Sequence, residues 1–134
     1  ALLILIINKK MALSRQTRQK TLILAQIEKM NSFFTGEDLF SKVKQLDRSI
    51  GIATVYRFLK DLRKRGLLHT YSCKRRMIYS GEKRSHCHFI CEKCKKIKHI
   101  EIDNIDFINK SIKDEICHFQ IDVYGICESC KKRD

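Results

Sequence analysis

Proline and tryptophan are absent from this 134-residue chain, and glycine occurs only five times. With so few breaks, Gly66 and Gly125 carry much of the turn signal. No long hydrophobic run is present either. The apolar stretch Ala1–Ile7 falls far short of the ~20 residues needed to cross a bilayer. It also lacks the basic n-region and small-residue cleavage site of a secretory signal. The expectation is a soluble cytoplasmic protein with no membrane partner. Met11 follows directly on Asn8-Lys9-Lys10, so residues 1–10 are read as a non-structural or upstream extension. No nucleophile motif occurs, and no general base falls in a defined pocket. A His-x-His on a strand could leave an open zinc position, but nothing else supports an enzyme with a small-molecule substrate.

What is present begins with cysteine. Seven cysteines, an odd number, suit a reducing compartment better than a disulfide framework. Four of them form two Cys-x-x-Cys pairs, Cys91/Cys94 and Cys127/Cys130, with 32 residues between the pairs. Each pair is half of a tetrahedral four-cysteine zinc site, because two thiolates three positions apart can bind one ion from a tight turn. The spacer exceeds the roughly 15–20 residues of a compact zinc knuckle. The ion would therefore staple the last turn of the chain onto an earlier hairpin, around a small fold in between. Redox Cys-x-x-Cys chemistry and disulfides are the rival uses of these residues. Cys73, Cys87 and Cys117 belong to neither pair.

Charge is the second large signal. Up to Arg84 there are 19 Lys and Arg against 6 Asp and Glu, whereas from Ser85 onward there are 9 of each. The net charge of +13 thus sits entirely in the first part. That asymmetry suits one polyanion-binding module joined to a neutral one. A scattered solubilising surface would not divide so cleanly. The expected boundaries are 11–83 and 84–134.

In the first module, Arg18–Met30 repeats its apolar residues at helical spacing. Thr35, then Glu37 and Asp38, then Leu39, Phe40 and Val43 read as an N-cap, an acidic first turn and an apolar stripe. A third helix is expected over Ser49–Lys64. Ile52, Val55, Leu59 and Leu62 lie on one of its faces, with Arg57, Lys60 and Lys64 roughly opposite, and Gly66 ends it. Leu67–Tyr71 and Arg76–Tyr79 read as strands around the basic turn Ser72-Cys73-Lys74-Arg75. Three helices and a hairpin make a winged helix-turn-helix. Its third helix would enter the major groove of double-stranded DNA, and its wing would meet phosphate.

In the second module, Ser85–Cys91 alternates, so His86 and His88 share one strand face. If the hairpin closes with Cys91 near Lys96, then Ile97–Ile102 places His99 opposite His88 and Glu101 opposite His86. These four residues form a candidate second metal site for zinc, iron, nickel or manganese. The same histidines could equally lie on a solvated strand. Asn104–Ile116 is expected as a helix and Gln120–Tyr124 as a third strand. A unit this small leaves a sheet edge exposed, which favours pairing with a second copy. The fold class is α+β, a winged helix-turn-helix followed by a small α/β dimerisation domain with a four-cysteine zinc site.

Several ordered motifs resemble the ferric uptake regulator (Fur) family of metal-responsive repressors, from about Arg15 to Lys132. Arg15–Lys20 resembles the family's R-x-T-x-Q-R, and Gly51–Leu59 resembles its A-T-V-Y-R-x-L signature. His86–Cys94 resembles H-x-H-x-x-C-x-x-C, and Tyr124–Cys130 resembles its ending. The resemblance implies a homodimeric DNA-binding repressor with structural Zn2+ at Cys91, Cys94, Cys127 and Cys130. It implies DNA contacts from Arg15, Thr54, Tyr56 and Arg57. It also implies a regulatory divalent metal (Fe2+, Mn2+, Zn2+ or Ni2+), for which His86, His88, His99 and Glu101 are the candidate ligands, with Glu82 a further one. Four departures stand out. The wing-side carboxylate position falls around Tyr79–Ser80, with only Glu82 nearby. Phe33 takes the place of a family histidine, and His99 that of an acidic ligand. A further family site reads Ser85, Cys87, Asp106 and Phe119. The alternative is a redox signal, read by Cys87 or by the four cysteines, or metal-independent DNA binding with only the structural zinc retained.

Overall fold

The computed structural model describes residues 18–133. Arg15 and the segment 1–10 therefore lie outside the described residues. Two compact units divide between Glu82 and Lys83.

The first unit contains α1 (Arg18–Lys29), β1 (Phe34–Thr35), α2 (Gly36–Leu46), α3 (Ile52–Lys64), β2 (His69–Cys73) and β3 (Arg76–Ser80). Apolar residues three and four apart on each helix meet in one core. Ile23, Leu24 and Ile27 come from α1, Leu39 and Val43 from α2, and Val55, Phe58, Leu59 and Leu62 from α3. Each such side chain contributes about 1.5–3 kcal/mol on burial.

Helix α2 starts where the sequence marks it. Thr35 Oγ1 accepts from Asp38 N at 3.1 Å, and Asp38 Oδ2 accepts from Thr35 N at 3.0 Å. This reciprocal capping satisfies two otherwise unpaired backbone donors. The backbone N–H of Thr35, followed by its hydroxyl, holds the Asp38 carboxyl below its ordinary range.

Helix α3 starts later than expected, at Ile52 rather than Ser49. Asp47 Oδ1 takes the Ser49 N–H at 2.9 Å, and this local turn competes with helix. At the other end Gly66 adopts φ 72°, and Leu67 N donates to Leu62 O at 3.0 Å. That bond closes the last helical turn in the left-handed capping geometry that favours glycine.

The sheet order is β1-β3-β2. Strand β1 was not expected; it is two residues long and pairs Phe34 with Tyr79. The β2–β3 hairpin pairs Cys73 with Arg76, leaving a two-residue turn at Lys74-Arg75 instead of the expected four. Both turn residues have positive φ, 50° and 65°. Two-residue hairpin turns of this hand favour Asn-Gly. Here two long basic side chains accept the strain and project from the tip.

The second unit contains β4 (His86–Cys91), β5 (Ile97–Ile100), α4 (Asp106–Ser111), β6 (Gln120–Gly125) and α5 (Glu128–Lys131). Its sheet has the order β5-β4-β6, with β4 antiparallel to β5 and parallel to β6. Helix α4 covers less than the expected Asn104–Ile116 and buries none of its residues. Its isoleucine stripe is at most half-buried, with Ile112 exposed, and a short helix without a fully packed face does not propagate. Helix α5, also unexpected, is a single turn carrying Cys130. No helix among the described residues is long and apolar enough to cross a membrane.

Replacing Lys74-Arg75 by Asn-Gly should relieve the left-handed strain and add about 1 kcal/mol of stability. Thermal unfolding followed by circular dichroism should show a higher midpoint. An unchanged or lower midpoint would mean the native turn is not strained.

Candidate metal centres and nucleic-acid interface

The second unit closes around sulfur. The β4–β5 hairpin ends with Cys91 N donating to Lys96 O at 3.0 Å, so Cys91 faces Lys96 as the spacing predicts. Glu92 N donates to Gly125 O at 2.8 Å, which brings the end of β6 alongside the same turn. The sulfurs of Cys91, Cys94, Cys127 and Cys130 all lie within 4.8 Å of one another. A tetrahedron with Zn–S of about 2.3 Å has edges of about 3.8 Å. Cys94 Sγ and Cys127 Sγ are 3.8 Å apart.

Backbone geometry prepares this set for a cation. The N–H groups of Cys127 and Cys94 point at Cys91 Sγ, at 3.4 and 3.5 Å. With Cys127 the larger influence, they hold the Cys91 thiol down to about 6. Hydrogen bonding to Cys127, then burial, pushes Cys130 the other way, to about 12. A backbone hydrogen bond at Cys130 lowers the Cys127 thiol as well, and four thiolates together need a divalent ion to neutralise them. The donor set suits a structural zinc.

The histidines form a separate cluster. His86, His88 and His99 each offer one nitrogen, all within 4.8 Å. Their ring centroids are 4.4 Å (His86–His88), 4.8 Å (His88–His99) and 5.2 Å (His86–His99) apart. His88 and His99 are in direct register, as expected. Burial, followed by the charges of His88 and His99, lowers the His86 pKa.

Glu101 does not join them. Pairing of β4 with β5 stops at Cys87 opposite Ile100, so nothing on β5 opposes His86, and Glu101 lies exposed beyond the strand. Sequence reasoning missed Asp122 instead. It sits on β6 in register with His88, whose Nδ1 is 2.8 Å from Asp122 Oδ1. Gln120 and Asp122 alternate like His86 and His88, which was the available signal. The parallel pairing that aligns the two strands was not legible.

Two other positions are resolved within their own units. Phe33 is half-buried with its ring edge-on to Tyr71, centroids 5.1 Å apart, so this position packs as hydrocarbon. Cys87 is buried in register with Ile100 and Ile121, on the β4 face opposite the histidines.

In the first unit, α3 presents the basic face. Arg57 Nη2 donates to Thr54 Oγ1 at 3.3 Å, so these two residues act together on the exposed side. Tyr56 turns back towards α2. A Cβ at Gly36 would lie 2.5 Å from its ring, so only glycine admits this packing. Burial, then the hydrogen bond to Glu37, raises Tyr56 to about 12. Beside it is a cleft of about 550 Å³ lined by Glu37, Tyr56, Lys60, Arg63, Arg75, Arg76, Met77 and Tyr79. Helix and wing thus face one groove with four cations around it, the arrangement phosphate requires.

The sequence profile of the ferric uptake regulator family matches residues 12–124. The chain belongs to the ferric uptake regulator family. The ferric uptake regulation protein of Campylobacter upsaliensis is 30% identical over 128 residues, covering 89% of this chain and 81% of that protein. The peroxide-responsive repressor PerR of Staphylococcus epidermidis is 25% identical over 124 residues, covering 88% and 82%. The Helicobacter pylori ferric uptake regulator Fur, described as having three functional metal binding sites, matches with a TM-score of 0.67. That match covers 96% of this chain and 91% of the other at 18% identity, and it shows the fold. This Fur-family member is a transcription regulator with a winged helix-turn-helix and a structural zinc quartet.

Cys91→Ser should remove the favoured thiolate and with it the bound zinc, measured by elemental analysis, and should lower the thermal midpoint of the second unit. Zinc content equal to that of the unsubstituted protein would remove Cys91 from the ligand set. Gly36→Ala should drive the Tyr56 ring off α2 and weaken binding to operator DNA about tenfold at unchanged helix content. Undiminished affinity, read by fluorescence anisotropy, would show that Tyr56 placement does not matter to recognition.

Proposed function

We propose that this regulator is a homodimeric repressor whose grip on a double-stranded DNA operator is set by a divalent metal at His86, His88 and His99. The observation that carries this reading is the convergence of three imidazoles beside the zinc quartet, in a chain whose net charge lies in its winged-helix unit. Arg57 and Thr54 on α3 would meet the major groove, Lys74 and Arg75 the phosphates, and Arg15 the backbone or minor groove. Tyr56 contributes through its fixed place against Gly36.

Dimerisation fits the surface of the second unit. Phe107, Ile112, Val123, Tyr124 and Ile126 are large apolar side chains left exposed there, and β6 is an edge strand of its sheet. Such a surface favours a second copy and matches the two-fold logic of helix-turn-helix readers. The metal acts by binding the DNA-competent arrangement more tightly than the other; without that difference in affinity no ion could shift the population.

A peroxide-driven release is the second reading, favoured by the exposure of Cys94, the member of the cysteine quartet that an oxidant can reach. The buried placement of Cys87 argues against Cys87 as its sensor. Operator affinity of the purified protein should rise at least tenfold when Zn2+, Fe2+, Mn2+ or Ni2+ is restored after mild chelation that spares the cysteine zinc. Affinity that stays flat with every metal but falls with peroxide would replace metal control by redox control.

A further inference from the structure

The sheet of the second unit lays three polar residues in one row. His99 on β5 and Asp122 on β6 are both in register with His88 on the central strand. His88 is buried, while the Asp122 side chain is 36% exposed at the sheet edge. The 2.8 Å contact between His88 Nδ1 and Asp122 Oδ1 has a defined polarity, because an ionised carboxylate can only accept. Nδ1 therefore carries the proton, and Nε2 is left with the lone pair that a metal needs.

Within the second unit the ligand-capable atoms are nitrogens of His86, His88 and His99, and Asp122 is not among them. Nor does Glu101 bring an oxygen to the cluster. A divalent ion entering among these three neutral imidazoles would meet no compensating charge from the donors of this unit, and two of the three histidines are buried. Asp122 supplies that negative charge one step away through His88. A donor set of nitrogen alone favours zinc- and nickel-class ions over manganese, which prefers carboxylate and water oxygen.

Resting on the metal-site reading above, we propose that Asp122 is a positioning residue: it fixes His88 in its Nδ1–H tautomer, so that three imidazoles form a site selective for nitrogen-preferring divalent ions. The ion itself would polarise whatever further ligand it carries. The protein's part is to hold the tautomer, the ring orientation and the local charge.

The test uses the full chain with its cysteine zinc in place, titrated with Co2+ by visible absorption, and with Zn2+ and Mn2+ by chelator competition. Asp122→Ala should weaken Co2+ and Zn2+ binding about 10–100-fold. Asp122→Asn, whose amide oxygen still accepts from Nδ1–H, should lose less. The cobalt bands should keep their wavelengths in both variants, because the donor atoms are unchanged. Zinc content at the cysteines and an unaltered circular dichroism spectrum establish that the variants are folded. If the unsubstituted protein binds a second ion and Asp122→Ala binds it equally well, the role of Asp122 is overturned. Shifted cobalt bands in Asp122→Ala would make Asp122 a ligand and overturn it as well. Mn2+ binding as tight as Zn2+ binding would overturn the ion class. Failure of the unsubstituted protein to take up any second ion would instead sink the metal-control reading on which the proposal stands.

Discussion

The sulfur of Cys91 is fully buried, and it gathers the backbone of three places at once. Its own strand holds it, the Cys94 turn donates to it, and the N–H of Cys127 reaches it from beyond β6. The hub of the second unit is the sulfurs of Cys91, Cys127 and Cys130 with Phe89 packed against them, in place of a hydrocarbon core. A unit of this size cannot bury enough apolar area to hold itself firmly. Four thiolates gathered this closely repel one another, and a divalent cation relieves that repulsion. Metal binding and folding of this unit are therefore the same event. The histidine row inherits its geometry from that event, because β4 carries both His88 and Cys91, and β6 carries Asp122 up to the second cysteine pair.

The first unit is built on the opposite principle. Its helices are held by Ile, Leu, Val and Phe at helical spacing, a core of hydrocarbon instead of sulfur. Its departures from ideal local structure gather on the face that α3 and the wing present. A glycine sits where a ring must lie flat against α2, and two basic residues occupy a turn that Asn-Gly would fill at lower cost. Local rules tend to be broken where function demands it.

Much of this was legible in the sequence because it depends on local signals. Thr35 and Asp38 marked the start of α2, Gly66 marked the end of α3, and the Cys91–Lys96 closure placed His99 opposite His88. The misses share one cause, contacts between residues distant in sequence. The parallel alignment of β6 with β4 brought Asp122 to His88 and is invisible to periodicity. The end of β5 pairing at Ile100, which leaves Glu101 outside, is likewise a matter of sheet context. Helix α4 was overestimated because an isoleucine stripe predicts a helix only where something receives it. Strand β1 was too short to leave a pattern.

The parallel pairing of β4 with β6 also sets an order of events during folding. Antiparallel β4 and β5 are joined by a tight turn and can meet early. His88 and Asp122 are joined only through a long loop whose closure costs entropy before any bond forms. The helices of the first unit pack through contacts much nearer in sequence. During synthesis the DNA-reading unit is complete while Cys127 and Cys130 are still to emerge, and until they do, neither sulfur cluster nor histidine row can exist. A newly made chain thus passes through a stage in which it is already a folded, strongly basic module without the unit that carries the two clusters.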